Sequence, residues 1–296
     1  MSGGAATGFG GAFRLLLGGV VILWSSGFIV ARLVGPYVEP LAFVAARNAG
    51  VVAVLVPVAL ALHRTWPGTR AAWGHLLFAG ALNQGVYLAA VYWSVREGLP
   101  AGVAALLGGF QPIAIALFAM VALGERISAR RWLGIALGFA GAGLVLTPRL
   151  EGVGPMVPLL PAAVCFAGIL AIAAGTVWLR RFVRTIDLVT GSAVQFLGAG
   201  LAAGSAALVF ETGTVIWSLP LIAGYLWAVF ALGAGGMTIY FWLMNRGAMA
   251  AASALLFLVP PTAALMAYVG FGEALAPIQL IGMAVAAFGV WMATRP

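Results

Sequence analysis

The run ALNQGVYLAAVYWS (Ala81 to Ser94) sets two amides, two tyrosines and a serine among small and apolar residues. At i, i+4 spacing Asn83 and Tyr87 share one helical face that extends toward Ser94, while Gln84, Leu88 and Tyr92 run alongside. Amides and hydroxyls of this kind give and take hydrogen bonds. Their chemistry is reversible binding of a solute, or interhelical hydrogen bonding with no solute at all. Further candidates of the same type are Trp24, Ser25 and Ser26, then Gln111, and then Trp227, Tyr240 and Trp242 with Asn245 close by. Arg47, with Asn48 beside it, is a positive charge inside an apolar run. A guanidinium there suits a carboxylate. It also lies near one end of its run, roughly 10 Å in at 1.5 Å per residue, so snorkelling to the surface is the competing expectation.

Catalytic constellations are missing from the sequence. It contains no HExxH, no GxGD, no nucleophile elbow and no phosphate-cradling glycine run, and its two histidines, His63 and His75, flank one loop. The single cysteine, Cys165, lies in an apolar run and reads as a small core residue. We expect no enzymatic activity, no cofactor and no metal.

The elements that must position these residues follow from composition. With 64% hydrophobic and 7% charged residues and a mean hydropathy of +1.11, the chain carries more apolar surface than a water-soluble fold could hide. Ten stretches of spanning length are expected, near 14–32, 40–62, 71–95, 100–122, 128–146, 157–179, 187–209, 221–244, 249–271 and 277–294. A barrel would instead show shorter alternating segments. The first run follows Arg14 and has the look of a signal peptide, but its place in the repeat described below argues that it is retained.

All fifteen basic residues are arginines, and the net charge is +8. In a soluble protein that would suggest nucleic acid. Here Arg14, Arg64, Arg70, Arg126, Arg130, Arg131, Arg180, Arg181, Arg184, Arg246 and Arg295 fall on one side of a ten-span chain, and only Arg32, Arg96 and Arg149 on the other. That bias records orientation rather than a nucleic-acid partner, and puts both termini in the cytoplasm.

Shifting the chain by half its 296 residues, 148 positions, superposes Gly27 on Gly175, Arg32 on Arg180, Glu39 on Asp187, Tyr92 on Tyr240 and Pro112 on Pro260. The same register carries Gly124-Glu125 onto Gly272-Glu273, Gly134 onto Gly282 and Gly141 onto Gly289. Glycines, prolines and charges in one constant register indicate two copies, residues 1–148 and 149–296. Each copy holds five spans, an odd number, so the second must enter the membrane from the opposite side. The expected fold is therefore all-α, integral to the membrane, with ten transmembrane helices arranged as two five-helix inverted-topology repeats.

The residues also carry a family resemblance. YWSVREGLPAGVAALLGGFQPIAIALFAMVALGERISARRWLGIALGFAGAGLVL (Tyr92 to Leu146) is similar to the second part of the EamA-type domain of the drug/metabolite transporter superfamily. ILWSSGFIVARL (Ile22 to Leu33) and EPLAFVAARNAG (Glu39 to Gly50) resemble that family's first two helices. The resemblance implies a ten-helix metabolite exporter, and similar members include exporters of aromatic and other neutral amino acids. It also sharpens an absence, since small four-helix relatives carry a glutamate where this chain has Trp24-Ser25-Ser26. All seven acids here fall at span ends or in loops, so we expect a neutral or zwitterionic solute without tight proton coupling.

Four further residues are expected to act mechanically. Pro112 and Pro260 fall mid-span, where each removes a backbone hydrogen bond and frees the carbonyls of Gly108 and Leu256, making them candidate hinges. Glu125 and Glu273 each end a helix, where the macrodipole disfavours an anion. Pairing with an arginine such as Arg126 or Arg131, in a gating role, is the expected resolution. The GxxxG of Gly134 and Gly138 is expected to pack inside the bundle rather than to dimerise. The resulting reading is a monomeric inner-membrane exporter of small neutral or zwitterionic metabolites, amino acids among them, working by alternating access around a central cavity. The alternatives are export of purines or drugs and channel-like conduction, although an inverted repeat within one chain favours alternating access over an oligomeric filter.

Overall fold

The computed structural model describes residues 11–124, 128–146, 157–183, 186–236, 239, 258–273 and 276–294. The helices are α1 (Gly11–Val34), α2 (Pro40–Ala61), α3 (Arg70–Gly80), α4 (Tyr87–Arg96), α5 (Ala101–Gly108), α6 (Gln111–Leu123), α7 (Ala129–Leu146), α8 (Leu159–Phe182), α9 (Leu188–Phe210), α10 (Leu219–Leu226), α11 (Val259–Phe271) and α12 (Pro277–Thr294). A π-helical segment, Ala81–Val86, fuses α3 to α4, and a second, Trp227–Gly235, continues α10. Counted as spans these make ten. Five of them, over 40–61, 70–96, 101–123, 159–182 and 188–210, are long and apolar enough to cross a membrane, and five more are apolar but shorter within the described residues. Large apolar side chains such as Leu208, Val121 and Phe210 are exposed, as a lipid-facing surface requires. The expected boundary between copies, at 148 and 149, lies outside the described residues, as do Glu125, Tyr240, Trp242 and Asn245.

Local signals set the helix ends. Asp187 caps α9 by accepting from the amides of Val189 and Thr190, at 2.9 and 3.2 Å, and Ser218 accepts from Leu221 at the start of α10. Gly124 and Gly272, one repeat apart, end α6 and α11 in the same left-handed conformation, with φ of 71° and 68°. The punctuation therefore repeats in backbone geometry as well as in sequence.

The way equivalent helices meet fixes their relative direction. Along α2 and α9, Leu41 is held by Glu211, Ala45 lies against Gly204, Asn48 against Gly200 and Arg64 against Asp187. Rising numbers in one helix meet falling numbers in its duplicate, so the two run antiparallel. The same holds for α7 and α12, where Gly141 packs on Gly282 and Ala286 while Gly289 packs on Gly134 and Gly138. The contact is self-complementary under the 148-residue shift, as a twofold axis demands. The GxxxG thus packs within the bundle, and the architecture is an inverted repeat.

Each copy staples the other. The Glu39 carboxylate accepts from the amides of Gly213 and Thr214 at 2.8 and 3.0 Å, and from Thr212 through both its amide and its hydroxyl. Partial desolvation pushes this carboxyl up, but the hydrogen bonds outweigh it and hold it below its ordinary value of 4.5. In return Glu211 accepts from Leu41 and Ala42 at 2.7 and 2.8 Å, satisfying the first amides of α2.

Candidate functional site

At the centre of the first copy, α2 and α4 bring together Arg47, Asn48, Tyr87 and Tyr92. Arg47 and Asn48 are buried, and so is Tyr92, whose ring stacks on Phe43 at 5.1 Å between centroids. Tyr87 and Tyr92 both stand within electrostatic reach of Arg47. Phe196 of α9 closes the group from below, its ring 5.8 Å from the guanidinium carbon. Arg47 therefore points into the bundle and does not snorkel. The reason is packing: Asn48, Phe196 and the two tyrosines enclose a side chain whose helix position alone allows an outward path.

The stripe expected on α3 and α4 is partly redrawn. Asn83 and Ser94 are buried, and among the described residues the Oδ1 of Asn83 and the Oγ of Ser94 have no hydrogen-bond partner. Asn83 lies in the π segment, against Gly175 of α8, where a Cβ would collide with its side chain. The π turn rephases Asn83 and Gln84 relative to Tyr87 and Tyr92, which both lie beyond it in α4 and both approach Arg47. Cys165 is buried next to Tyr87. Phe43, Phe196 and Cys165 are members of this site that sequence reasoning missed, because nothing in a single apolar helix marks which of its faces meets a distant one.

A second polar seam joins the copies. Ser25 donates to the carbonyl of Val259 at 3.2 Å, and Trp227 donates through Nε1 to Ser26 Oγ at 2.8 Å. Trp24 is half-buried against the core and Gln111 half-buried at the start of α6. The Ser25 seam thus joins α1 to α11 and to the π extension of α10, while the Arg47 group joins α2 to α4 and α9. Trp178 packs with His75, Phe78 and Phe182.

The α-helical pattern of the span 101–123 is interrupted at Gly109 and Phe110, both still in the right-handed helical region, and Pro112 sits in the first turn of α6 that follows. Pro260 occupies the matching first turn of α11. Phe110 and Leu258, which precede these two starts, have nearly the same dihedrals. Glu273 does pair with an arginine, but one from another span; Arg126 and the side chain of Arg131 lie outside the described residues. The left-handed turn at Gly272 carries it across to Arg32, 2.9 Å away, and to the amide of Ala101, 3.0 Å away, at the start of α5. The anion leaves the unfavourable end of its own helix for the favourable end of another.

Antiparallel duplicates and buried polar groups at mid-span define the transporter class of multi-pass membrane proteins. The sequence profile of the EamA-like transporter family matches twice, over residues 13–147 and 159–295. The chain is a member of that family. It is 24% identical to the uncharacterized transporter YvbV of Bacillus subtilis (strain 168), over 83% of this chain and 79% of that one. Identity to the protein PecM of Dickeya dadantii (strain 3937) is 26%, over 88% and 85%. A protein of Streptantibioticus cattleyicolor named a probable terminal-alkyne amino-acid exporter is 26% identical over 74% and 72%. A solved crystal structure superposes with a TM-score of 0.65 at 21% identity, covering 95% of this chain and 94% of that one, which establishes the shared fold.

Proposed function

We propose that the protein exports small neutral or zwitterionic metabolites, amino acids including aromatic ones, across the cytoplasmic membrane by alternating access. The observation that carries this reading is the antiparallel packing of duplicated helices, α2 on α9 and α7 on α12, around buried polar side chains. Two inverted copies of residues 1–148 and 149–296 supply two related conformations, one open to each side. The arginine bias orients both termini to the cytoplasm, so the face bearing Arg32 and Glu39 is the outer one. Tyrosines and tryptophans around the site suit planar or apolar side chains. The amino-acid exporter among the relatives favours the same solute class. One chain contains both copies, and a monomer is sufficient.

Uptake into vesicles reconstituted with the purified protein tests this. A panel of the standard amino acids and adenine should give saturable flux of neutral amino acids, aromatic ones among them. That flux should survive collapse of the pH gradient and fall about tenfold or more in Tyr87→Ala. Flux of adenine alone, or strict dependence on the pH gradient, would refute the solute class or the coupling respectively.

A further inference from the structure

Arg47 is only 5% exposed, yet its one hydrogen bond among the described residues is a 3.3 Å contact from Nη1 to Oδ1 of the adjacent Asn48. Asn48 is itself held by Nδ2 donating to the carbonyl of Val44 at 2.8 Å. Among the described residues no carboxylate lies within 4 Å of the guanidinium. Arginine–carboxylate pairs form instead at span ends, Arg32 with Glu273 and Arg64 with Asp187. A buried guanidinium has five donors to satisfy and is costly without a counter-charge.

The fold does not require that charge. The equivalent position in the second copy is Gln195, which folds its Nε2 back onto its own helix, donating to the carbonyl of Gly191 at 3.4 Å. One copy packs a neutral amide where the other packs a cation. The difference is asymmetric in the way a solute with one charged group would need.

We propose that Arg47 binds the carboxylate of the transported solute, which makes the solute class carboxylate-bearing zwitterions, the α-amino acids, rather than purines or cationic drugs. This deepens the transporter reading above and rests on it. A cationic amine lacking the carboxylate finds only a like charge at Arg47 and no acid at bilayer depth.

The test is counterflow of radiolabelled L-phenylalanine and of adenine in phosphatidylethanolamine/phosphatidylglycerol vesicles, with L-phenylalanine, phenylalaninamide and phenethylamine as competitors. In the wild type the amide and the amine should compete with L-phenylalanine about tenfold or more worse than the acid, the range expected for losing one charge-assisted contact. Arg47→Gln should erase that preference while keeping a thermal midpoint at or above the wild type, and Arg47→Lys should restore part of it. An amide that competes as well as the acid in the wild type would overturn the assignment. So would a preference that survives Arg47→Gln, or an Arg47→Gln protein that no longer folds. Flux of adenine without flux of L-phenylalanine would overturn it too, while leaving transport standing. No flux of either solute would count against both readings.

Discussion

Glu273 has two partners at once, and the two are separable. Its bond to Arg32 is an ion pair with one partly exposed member, of the kind that contributes about 1 kcal/mol or less. Its bond to the Ala101 amide caps a helix start, worth about 1 kcal/mol. Glu273→Gln removes the charge but keeps an acceptor for Ala101, whereas Glu273→Ala removes both. Thermal denaturation in detergent should therefore rank wild type above Gln and Gln clearly above Ala. Equal losses in the two variants would assign the whole effect to the ion pair and none to the cap. In sequence, the shift of 148 carries Arg32 onto Arg180, Glu273 onto Glu125 and Ala101 onto Met249. The acid was legible in the Gly-Glu that ends a span in each copy. Its real partners were not, because they come from two other spans, and a helix-end motif says nothing about which neighbouring helix starts beside it.

At the scale of elements, the packing of α7 on α12 depends on missing side chains. A Cβ at Gly141 would meet backbone atoms of Ala286 and Gly282, and one at Gly289 would meet those of Gly138 and Gly134, so neither can be relieved by a rotamer change. Gly143, on the same helix as Gly141, has nothing within 4 Å. Gly141→Leu and Gly289→Leu should each cost upward of about 1–3 kcal/mol and broaden or abolish the monodisperse peak in size-exclusion chromatography. Gly143→Leu should elute like the wild type. A tolerated Gly141→Leu would mean that the two helices separate more easily than their contact implies. Span positions were readable from hydropathy to within a few residues, because twenty-residue apolar runs have no other explanation in so biased a composition. The π segments at Ala81–Val86 and Trp227–Gly235, and the interruption ahead of Pro112, were not. They change hydrogen-bond register without changing residue types, so periodicity alone carries them through as continuous α-helix.

Over the whole molecule the pseudo-twofold is imperfect, and the imperfection has a direction. Where α3 crosses α9 the contact is backbone on backbone: a Cβ at Gly80 would strike the main chain of Gln195, and one at Gly198 that of Leu77. At the repeat-related crossing of α2 with α10 and its π extension, the partners are side chains. Gly50 meets the Tyr225 hydroxyl and a Val229 methyl, and Gly233 meets a methyl of Val51. One crossing is closed tightly while its twin is held apart by side chains, as two states related by exchanging the copies would require. Spin labels on the exposed pair Phe78 and Leu197, and on the equivalent pair Leu226 and Ala49, report on the two crossings. With no solute, the 226–49 distance distribution should centre at a longer value than the 78–197 distribution. Adding transported amino acid should give each pair a second population near the other's resting distance. Two pairs that keep single, unchanged distances while flux proceeds would rule out exchange of the copies as the transport step, leaving a fold whose duplication is inherited and mechanically idle.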